Sequence, residues 1–399
     1  MKKRAVRWSL ICFLTYLSAY LCRVNFSAAL TSLSLARGLD YELLGTAGAA
    51  FFAVYAVGQL FNGFLGDHLH PVRFIIIALI GTAACNIAVA FAKSYFLILI
   101  FWAANGYFQS VFWCILIRLL SMVTDEEAFG SASVLMSCAN PTGYLISWCV
   151  LAPVFGNMNV ALFFLIPAVT ALPMMLLWTN KAPLLPTGHT LPLSANSLSA
   201  DLRRIFALLK RERLLLLPAV LICLGLVKEG ITFWVPTIIR SFSKGASYTT
   251  AALALLPLAS FAGTLAAKRL LKVLSHRPYT VVRMSFIIMI PVCALCLIPL
   301  GAFVLLPLCL VSALACCANT VLLSFIPMHY LSEDAVSSLV GLFDFCSYMG
   351  AALSTYVLGS LMEGRGVEAM ALVWVAAAAT ASILLIVKYL KSERSSVKS

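Results

Sequence analysis

Long apolar stretches, separated by short polar loops, recur along the whole chain. Each holds about 20 residues, the length that an α-helix needs to cross a hydrocarbon core roughly 30 Å thick. Turn residues divide the pattern into twelve predicted helices, with one long polar segment at 180–212 between the sixth and the seventh. Their ranges are 8–31, 42–66, 72–92, 95–123, 128–156, 159–179, 213–241, 247–273, 279–301, 303–331, 334–362 and 367–390. We therefore predict an all-α membrane protein with six-helix bundles at 1–179 and 213–399, joined by a basic cytoplasmic linker.

Composition and charge support this interpretation and give the expected orientation. The chain is 62% hydrophobic and 11% charged, whereas soluble domains carry roughly a quarter charged residues. Most of the 28 Lys and Arg lie at the two ends, in the linker and in the loops from even-numbered to odd-numbered helices. Because positive residues near helix ends stay in the cytoplasm, we predict a multi-pass protein of the cytoplasmic (inner) membrane with both termini cytoplasmic. The net charge of +13 then faces anionic lipid and requires no nucleic-acid partner.

Motifs of soluble catalysis are missing from the sequence. It has no P-loop, no H-E-x-x-H zinc site and no G-x-S-x-G elbow, so we expect neither ATP-driven pumping nor hydrolytic chemistry. The C-x-x-C pair of Cys293 and Cys296 lacks an accompanying His or acid and is expected to pack within one helix. We expect a monomeric protein that is not an enzyme and that has no cofactor and no metal.

One face of the first helix carries polar and charged side chains at helical spacing. They are Tyr16, Tyr20, Arg23 and Ser27. A basic side chain at bilayer depth costs about 2.5 to 3.5 kcal/mol, so this face should look into the bundle. A guanidinium presents paired donors that match a carboxylate or a phosphate. We predict that Arg23 binds an anion; the alternative is a buried ion pair with Asp344 or Glu229.

The seventh helix places a second cation at the equivalent position. Lys228 follows Arg213 by 15 residues, as Arg23 follows Trp8, which indicates that the halves are pseudo-symmetric repeats. Neighbours on a helix point about 100° apart, so we expect Glu229 to leave Lys228 available for an anion. The alternative is an ion pair inside the bundle.

Other intramembrane polar residues outline the expected cavity. On the eleventh helix, Asp344 has two open roles: it pairs with Lys228 only when the site is empty, as a coupling switch, or it forms a permanent structural pair. Neutral polar stripes on helices two, four and five have helical spacing, although each alone is also typical of helix packing. They are Tyr55, Gln59 and Asn62; Asn105, Gln109 and Trp113; and Ser137, Asn140 and Tyr144.

Four sequence strings resemble the organophosphate:phosphate antiporters of the major facilitator superfamily. YLCRVNFSAAL resembles the Y-x-x-R-x-N-x-S pattern of helix one, and NGYFQSVFWCILIRLL resembles the N-G-W-F-Q-G-x-G-W segment of helix four. GFLGDHLHPVRF resembles the superfamily loop between helices two and three, and KEGITFWVPTII resembles R-x-G-x-x-x-W-x-P-T-Y-L of helix seven. The resemblance spans the chain and implies the major facilitator fold, with two pseudo-symmetric bundles of six helices.

The resemblance also implies roles for individual residues. Arg23 would bind the phosphate group, and Lys228 stands where relatives have a second arginine. Gln59 replaces the family's helix-two lysine, and Asn140 replaces the helix-five histidine of glycerol-phosphate transporters. In the loop between helices two and three, Asp67 and Arg73 would brace the helix ends during rocking.

Four functions follow as hypotheses. The first is alternating-access exchange of a small organic anion, a phosphorylated metabolite, for inorganic phosphate, with substrate contacts from Arg23, Lys228, Tyr20, Tyr16, Gln59, Gln109, Asn140 and Tyr144. The second is proton-coupled symport of a sugar acid or other carboxylate, with Asp344 or Glu229 as the proton carrier. The third is a ligand sensor with a transporter fold. The fourth, a membrane enzyme, lacks a clustered nucleophile and base.

Overall fold

The computed structural model describes residues 3–68, 70–124, 126–155, 159–181, 203, 206–207, 209–211, 214–242, 246–274, 277–328, 336–364 and 366–396. All regular structure in these ranges is helical, which confirms the predicted class. Two compact units are present, Met1–Leu193 and Ser194–Ser399. Most of the predicted linker at 180–212 lies outside the described residues, so its boundaries stay a prediction.

The first unit contains four long helices followed by a segmented fifth and a continuous sixth. The continuous ones are α1 Lys3–Arg37, α2 Tyr41–His68, α3 Pro71–Phe91, α4 Tyr95–Val123 and α6 Leu162–Lys181. Within this unit α1 packs against α4, the segmented α5 (residues 126–155) and α6. In addition, α2 packs against α4, and α3 packs against α4 and α6. Because α1 contacts the other helices of this unit, its side chains form much of the unit's interior.

The second unit repeats this arrangement six helices later. Its continuous helices are α7 Leu217–Phe242, α8 Ala246–Val273, α9 Pro278–Leu295, α11 Val336–Gly364 and α12 Gly366–Ser396. Here α7 packs against the segmented α10 (residues 301–328), α11 and α12. In addition, α8 packs against α10, and α9 packs against α10 and α12. Each pair in the first unit therefore has its counterpart in the second, as expected for pseudo-symmetric repeats.

Two predicted helices, the fifth and the tenth, are segmented. α5 consists of Glu126–Ser137, Ala139–Ile146, a π-helical turn at Ser147–Leu151 and Ala152–Phe155. α10 consists of a 3₁₀ turn at Gly301–Val304, Leu305–Thr320, a π-helical turn at Val321–Phe325 and Ile326–Met328. Each π turn ends two residues before a proline, Pro153 or Pro327. Proline lacks an N–H and crowds the carbonyl four residues earlier, so the preceding turn widens.

Length and composition make this a multi-pass membrane protein. Within the described ranges, eleven helices are long and apolar enough to cross a bilayer. Segmented α5 accounts for the difference from the twelve that the sequence predicts. Side chains such as Leu176, Ile77 and Phe91 are more than half exposed, which suits a surface that contacts lipid tails rather than water.

In the second unit α7 and α11 approach each other closely. A side chain at Gly350 would collide with the backbone carbonyl of Ile222, and one at Gly225 would collide with that of Ser347. The Ser354 hydroxyl donates to the Leu226 carbonyl across the same contact, at 2.7 Å. Small residues let membrane helices approach closely, so α11 fixes the part of α7 that carries Lys228.

Candidate functional site

Arg23 lies on α1 inside the first unit, where only 8% of its surface is exposed. Its guanidinium carbon is 4.5 Å from the ring centroid of Tyr55, 5.4 Å from that of Tyr20, and 5.7 Å from those of Phe51 and Phe52. We call these five residues the arginine cage. Aromatic faces stabilise a cation by about 0.5 to 2 kcal/mol each, more strongly as water is excluded. The cage therefore stabilises a permanent positive charge within the membrane.

Predicted site residues on α5 contact the α1 side of the cage. The Asn140 side-chain amide donates to the Tyr20 hydroxyl at 2.9 Å. Tyr16 packs edge-on against Tyr20, with ring centroids 4.9 Å apart, and Tyr144 lies 6.3 Å from Tyr20 by the same measure. The structure thus brings together four residues that the sequence assigned to one site.

The α2 side of the cage holds Gln59, another predicted site residue. Its amide nitrogen donates to the Tyr55 hydroxyl at 2.8 Å, and its amide oxygen accepts from the Cys114 thiol at 3.1 Å. Gln59 and Asn140 each donate to a tyrosine hydroxyl of the cage. Neutral amides at these two positions leave Arg23 as the cation of this cluster within the described ranges.

Sequence reasoning missed four contributors to this cluster: Phe51, Phe52, Cys114 and Trp148. The Trp148 indole N–H donates to the Ser27 hydroxyl at 3.2 Å, and its ring lies 4.7 Å from that of Tyr144. The sequence does place Phe51 on the same face of α2 as Tyr55, because the two residues are four positions apart. A search for polar stripes does not detect Phe51, because phenylalanine is expected in any membrane helix.

Gln109 lies in a different network, and its predicted role as a substrate ligand stays a prediction. Its side-chain nitrogen donates to the Ala19 carbonyl of α1 at 2.9 Å and to the Thr82 hydroxyl of α3 at 2.8 Å. Both amide hydrogens are therefore used in helix packing. Helical spacing identifies the inward face of α4 but cannot distinguish a cavity from a neighbouring helix.

The network around Gln109 holds the α1 backbone next to Arg23. Asn105 and Asn86 both donate to the Cys22 carbonyl, at 3.0 and 3.1 Å. Asn25 donates to the Asn86 side-chain oxygen at 2.7 Å. In an α-helix the carbonyl of residue 19 also accepts a hydrogen bond from the N–H of residue 23. The side-chain amides that donate to the Ala19 and Cys22 carbonyls therefore hold the turn of α1 that carries Arg23.

We predict that Gln109→Leu and Asn105→Leu weaken phosphate binding to similar extents, by about three- to tenfold, because either change loosens the same α1 turn. Binding of inorganic phosphate to the purified protein, measured by calorimetry, checks the size of each loss. A loss confined to Gln109→Leu would instead support direct contact between Gln109 and the anion.

Lys228 on α7 is paired, contrary to expectation. Its ammonium nitrogen lies 2.5 Å from a carboxylate oxygen of Glu229, and the two side chains are 18% and 7% exposed. The 100° separation on the helix does not prevent contact, because both side chains are long and the lysine stem is flexible. A buried charge also needs a partner, and the nearest acid supplies it.

The remaining predicted residues have separate outcomes. Asp344 lies half-buried on α11, and its pairing with Lys228 stays a prediction. Arg73 is exposed in the first turn of α3, whereas the Asp67 side chain lies outside the described part of the chain, so their bracing role also stays a prediction.

Cys293 and Cys296 are buried free thiols, as expected. Within the described ranges, no group of three His, Cys, Asp or Glu side chains is placed to hold a metal.

Comparisons with known proteins agree with this fold and with the resemblance of the motifs. A family model described as Major Facilitator Superfamily matches residues 12–355. A probable hexose phosphate transport protein of Chlamydia trachomatis is 32% identical over 109 residues, which are 27% of this chain and 24% of that protein. The hexose-6-phosphate:phosphate antiporter of Salmonella typhimurium is 33% identical over 106 residues, or 25% of this chain and 23% of the antiporter. The matches thus span about a quarter of the length of these curated relatives.

A solved structure extends the comparison to nearly the whole fold. The crystal structure of a variant of the nucleoside transporter NupG has a TM-score of 0.76 at 14% sequence identity. The alignment covers 97% of this chain and 99% of that one. At this identity the likeness shows the fold alone.

Proposed function

This chain belongs to the Major Facilitator Superfamily, and from that premise we propose that it is a secondary transporter of a small organic anion. In the proposed cycle a phosphorylated metabolite is exchanged for inorganic phosphate by alternating access. Arg23 is the principal residue that binds the anion, and Lys228 is the second cation that takes part.

The observation that carries this proposal is the buried Arg23 in its aromatic cage. A guanidinium stays charged in any protein setting. Because a permanent charge at bilayer depth costs free energy, charged residues there are rare and mark functional sites. Tyr16, Asn140 and Tyr144 add further polar and aromatic groups next to the cage. Paired N–H donors beside neutral polar groups suit an anionic head group with a polar body.

The relatives support phosphate as the head group. One of them is named as a hexose-6-phosphate:phosphate antiporter, and the string YLCRVNFSAAL around Arg23 resembles the helix-one pattern of organophosphate:phosphate antiporters. The proposed location is the cytoplasmic (inner) membrane, with both termini in the cytoplasm, as the distribution of Lys and Arg indicates. The proposed partners are the anionic substrate, inorganic phosphate and the bilayer, and the protein is proposed to act as a monomer.

The test is exchange by purified protein in proteoliposomes. Vesicles loaded with inorganic phosphate should take up labelled external phosphate, and unloaded vesicles should not, because an exchanger needs a ligand on the far side. An external panel of hexose phosphates, glycerol phosphate and sugar acids then identifies the substrate by competition. Uptake that proceeds without internal phosphate would contradict the exchange mechanism.

The second candidate is proton-coupled symport of a sugar acid. It is favoured by Glu229, a buried carboxylate that contacts Lys228 and would take up a proton if an anion replaced it there. An imposed pH gradient, acidic outside, would then drive uptake into vesicles that contain no phosphate. Substrate binding without flux under either condition would instead support a ligand sensor.

A further inference from the structure

A groove runs along the first unit between α1 and α6, and we call it the α1–α6 groove. Its volume is about 590 Å³, within the range of roughly 300 to 1,000 Å³ that is usual for ligand sites. All of its lining residues belong to these two helices, and most of them are aliphatic. They include Leu14, Leu17 and Leu21 of α1 and Leu165, Val169 and Met174 of α6.

The polar side chains of the lining, Ser18 and Thr170, bond within the protein. Their hydroxyl oxygens are 2.8 Å apart, and the Thr170 hydroxyl also donates to the Pro167 carbonyl at 2.6 Å. The groove therefore presents hydrocarbon to a ligand. A polar ligand would lose its hydration there without new hydrogen bonds, so the groove suits an apolar chain.

Contacts between α1 and α6 bound the groove at both ends. At one end the rings of Trp8 and Trp178 lie with their centroids 6.1 Å apart. At the other end the Asn25 side chain donates to the Phe163 carbonyl at 2.9 Å. The two helices thus run antiparallel, and the groove occupies the length of α1 between these two contacts.

The groove meets the surface that faces lipid tails. Val169, which lines it, is 60% exposed, and the neighbouring Leu172 and Leu176 of α6 are also more than half exposed. In a bilayer, apolar side chains exposed on membrane-spanning helices contact acyl chains. The material that this groove meets is therefore lipid.

A positive charge continues the groove's face of α1. Arg7 is exposed and precedes Leu14 by seven residues, as Leu14 precedes Leu21. Seven residues make two turns of a helix to within about 20°, so the three side chains project in nearly the same direction. An exposed guanidinium on this face suits the phosphate of a lipid head group.

The distance along α1 fits one leaflet of the bilayer. Ser18, at the middle of the groove, follows Arg7 by eleven residues, which is about 16 Å along the helix. Half of the hydrocarbon core measures about 15 Å. A lipid whose phosphate contacts Arg7 therefore has its acyl chains at the depth of the groove.

We infer that the α1–α6 groove binds an acyl chain of an anionic phospholipid whose phosphate contacts Arg7. In the proposed orientation this end of α1 meets the cytoplasmic leaflet, where anionic lipids are concentrated. The inference does not rest on the proposed transport function, because it concerns the lipid-facing side of α1 and its test requires no flux.

The test is native mass spectrometry of the purified, delipidated protein during titration with phosphatidylglycerol or with phosphatidylcholine of the same acyl chains. The first lipid is anionic and the second has no net charge. We expect the wild-type protein to bind phosphatidylglycerol about fivefold more tightly, because one arginine near the surface distinguishes the two head groups.

Two variants separate the head group from the chain. Arg7→Gln should lose the preference for phosphatidylglycerol and keep binding of phosphatidylcholine. Val169→Trp fills part of the groove and should weaken binding of both lipids about tenfold. Because Arg7 and Val169 are both exposed, neither change disturbs the core of the unit.

Each variant has a matched control. Arg277→Gln removes another exposed arginine next to a helix, and Leu172→Trp adds an indole to the same helix at a 54% exposed residue outside the groove lining. Both controls should bind the two lipids as the wild-type protein does. An Arg277→Gln variant that loses the preference as Arg7→Gln does would overturn the role of Arg7.

The same spectra report the other possible occupants of the groove. Equal binding of the two lipids by the wild-type protein, or unchanged binding by Val169→Trp, would overturn the inference. A dimer that dissociates in Val169→Trp would instead show that a second copy of the chain covers the groove. Lipid binding that follows these variants, without phosphate exchange in vesicles, would support the lipid site and refute the proposed antiport.

Discussion

We expect Arg23→Ala to abolish the proposed exchange of inorganic phosphate, with at least about a hundredfold loss of phosphate affinity. The estimate follows from two lost charge-assisted hydrogen bonds, each contributing about 1.5 to 3 kcal/mol. The fold should survive, because the change removes a buried charge and the Phe51 ring still packs against those of Phe52, Tyr55 and Trp102. Binding and exchange are measured on protein that elutes as a single peak.

Two variants sharpen this prediction. Arg23→Lys keeps the charge but loses the planar fork, so we expect partial binding, with a loss of about tenfold. Arg277→Ala is the matched control, because Arg277 is exposed before α9 and makes no side-chain capping bond. Normal exchange by Arg23→Ala would refute the anion site, whereas equal losses in Arg23→Ala and Arg277→Ala would indicate a nonspecific effect of charge.

The helices and the α1 face could be predicted from sequence because both depend on local physics. Apolar length identifies a membrane span, and 3.6-residue periodicity places Tyr16, Tyr20 and Arg23 on one side of α1. A charge at that depth must face inward, and the structure places Asn140 and Tyr144 next to Tyr20 on that face. Their predicted part in substrate binding stays a prediction.

The aromatic cage could not be predicted from the order of residues along the sequence. Phe51 and Phe52 are ordinary residues for a membrane helix, and only the contact of α2 with α1 places them against Arg23. The same limit explains Gln109, whose stripe identified the correct face of α4 but not the helix that meets it. Helical periodicity gives the direction in which a side chain points, whereas tertiary packing decides which helix that side chain contacts.

The Lys228–Glu229 contact was mispredicted for a different reason. Helical geometry separates the Cβ directions of adjacent residues, but the contact forms at the ends of two long side chains. Burial of both residues within the bundle makes pairing favourable, because an isolated charge there would pay the full cost of desolvation. The spacing of residues along the sequence does not reveal the free-energy cost of burying an unpaired charge.

Close packing of α7 against α11 makes Gly350 a sensitive position. Gly350→Ala places a methyl group against the Ile222 backbone carbonyl, which cannot rotate away as a side chain could. The two helices must separate, at a cost of about 1 to 3 kcal/mol, and the shift should lower the thermal midpoint of the purified protein by about 5 °C. Unfolding monitored by intrinsic tryptophan fluorescence in detergent measures this change.

Gly341→Ala on the same helix is the matched control, because a side chain there meets nothing within 4 Å. Alanine favours a helix over glycine by about 1 kcal/mol, so this variant should be neutral or slightly more stable than the wild-type protein. The same substitution on one helix thus has opposite expected signs at two positions. Since α7 carries Lys228, Gly350→Ala should also weaken anion binding, and Gly341→Ala should not. Equal thermal midpoints for the two variants would show that α7 and α11 are not as closely packed as the structure places them.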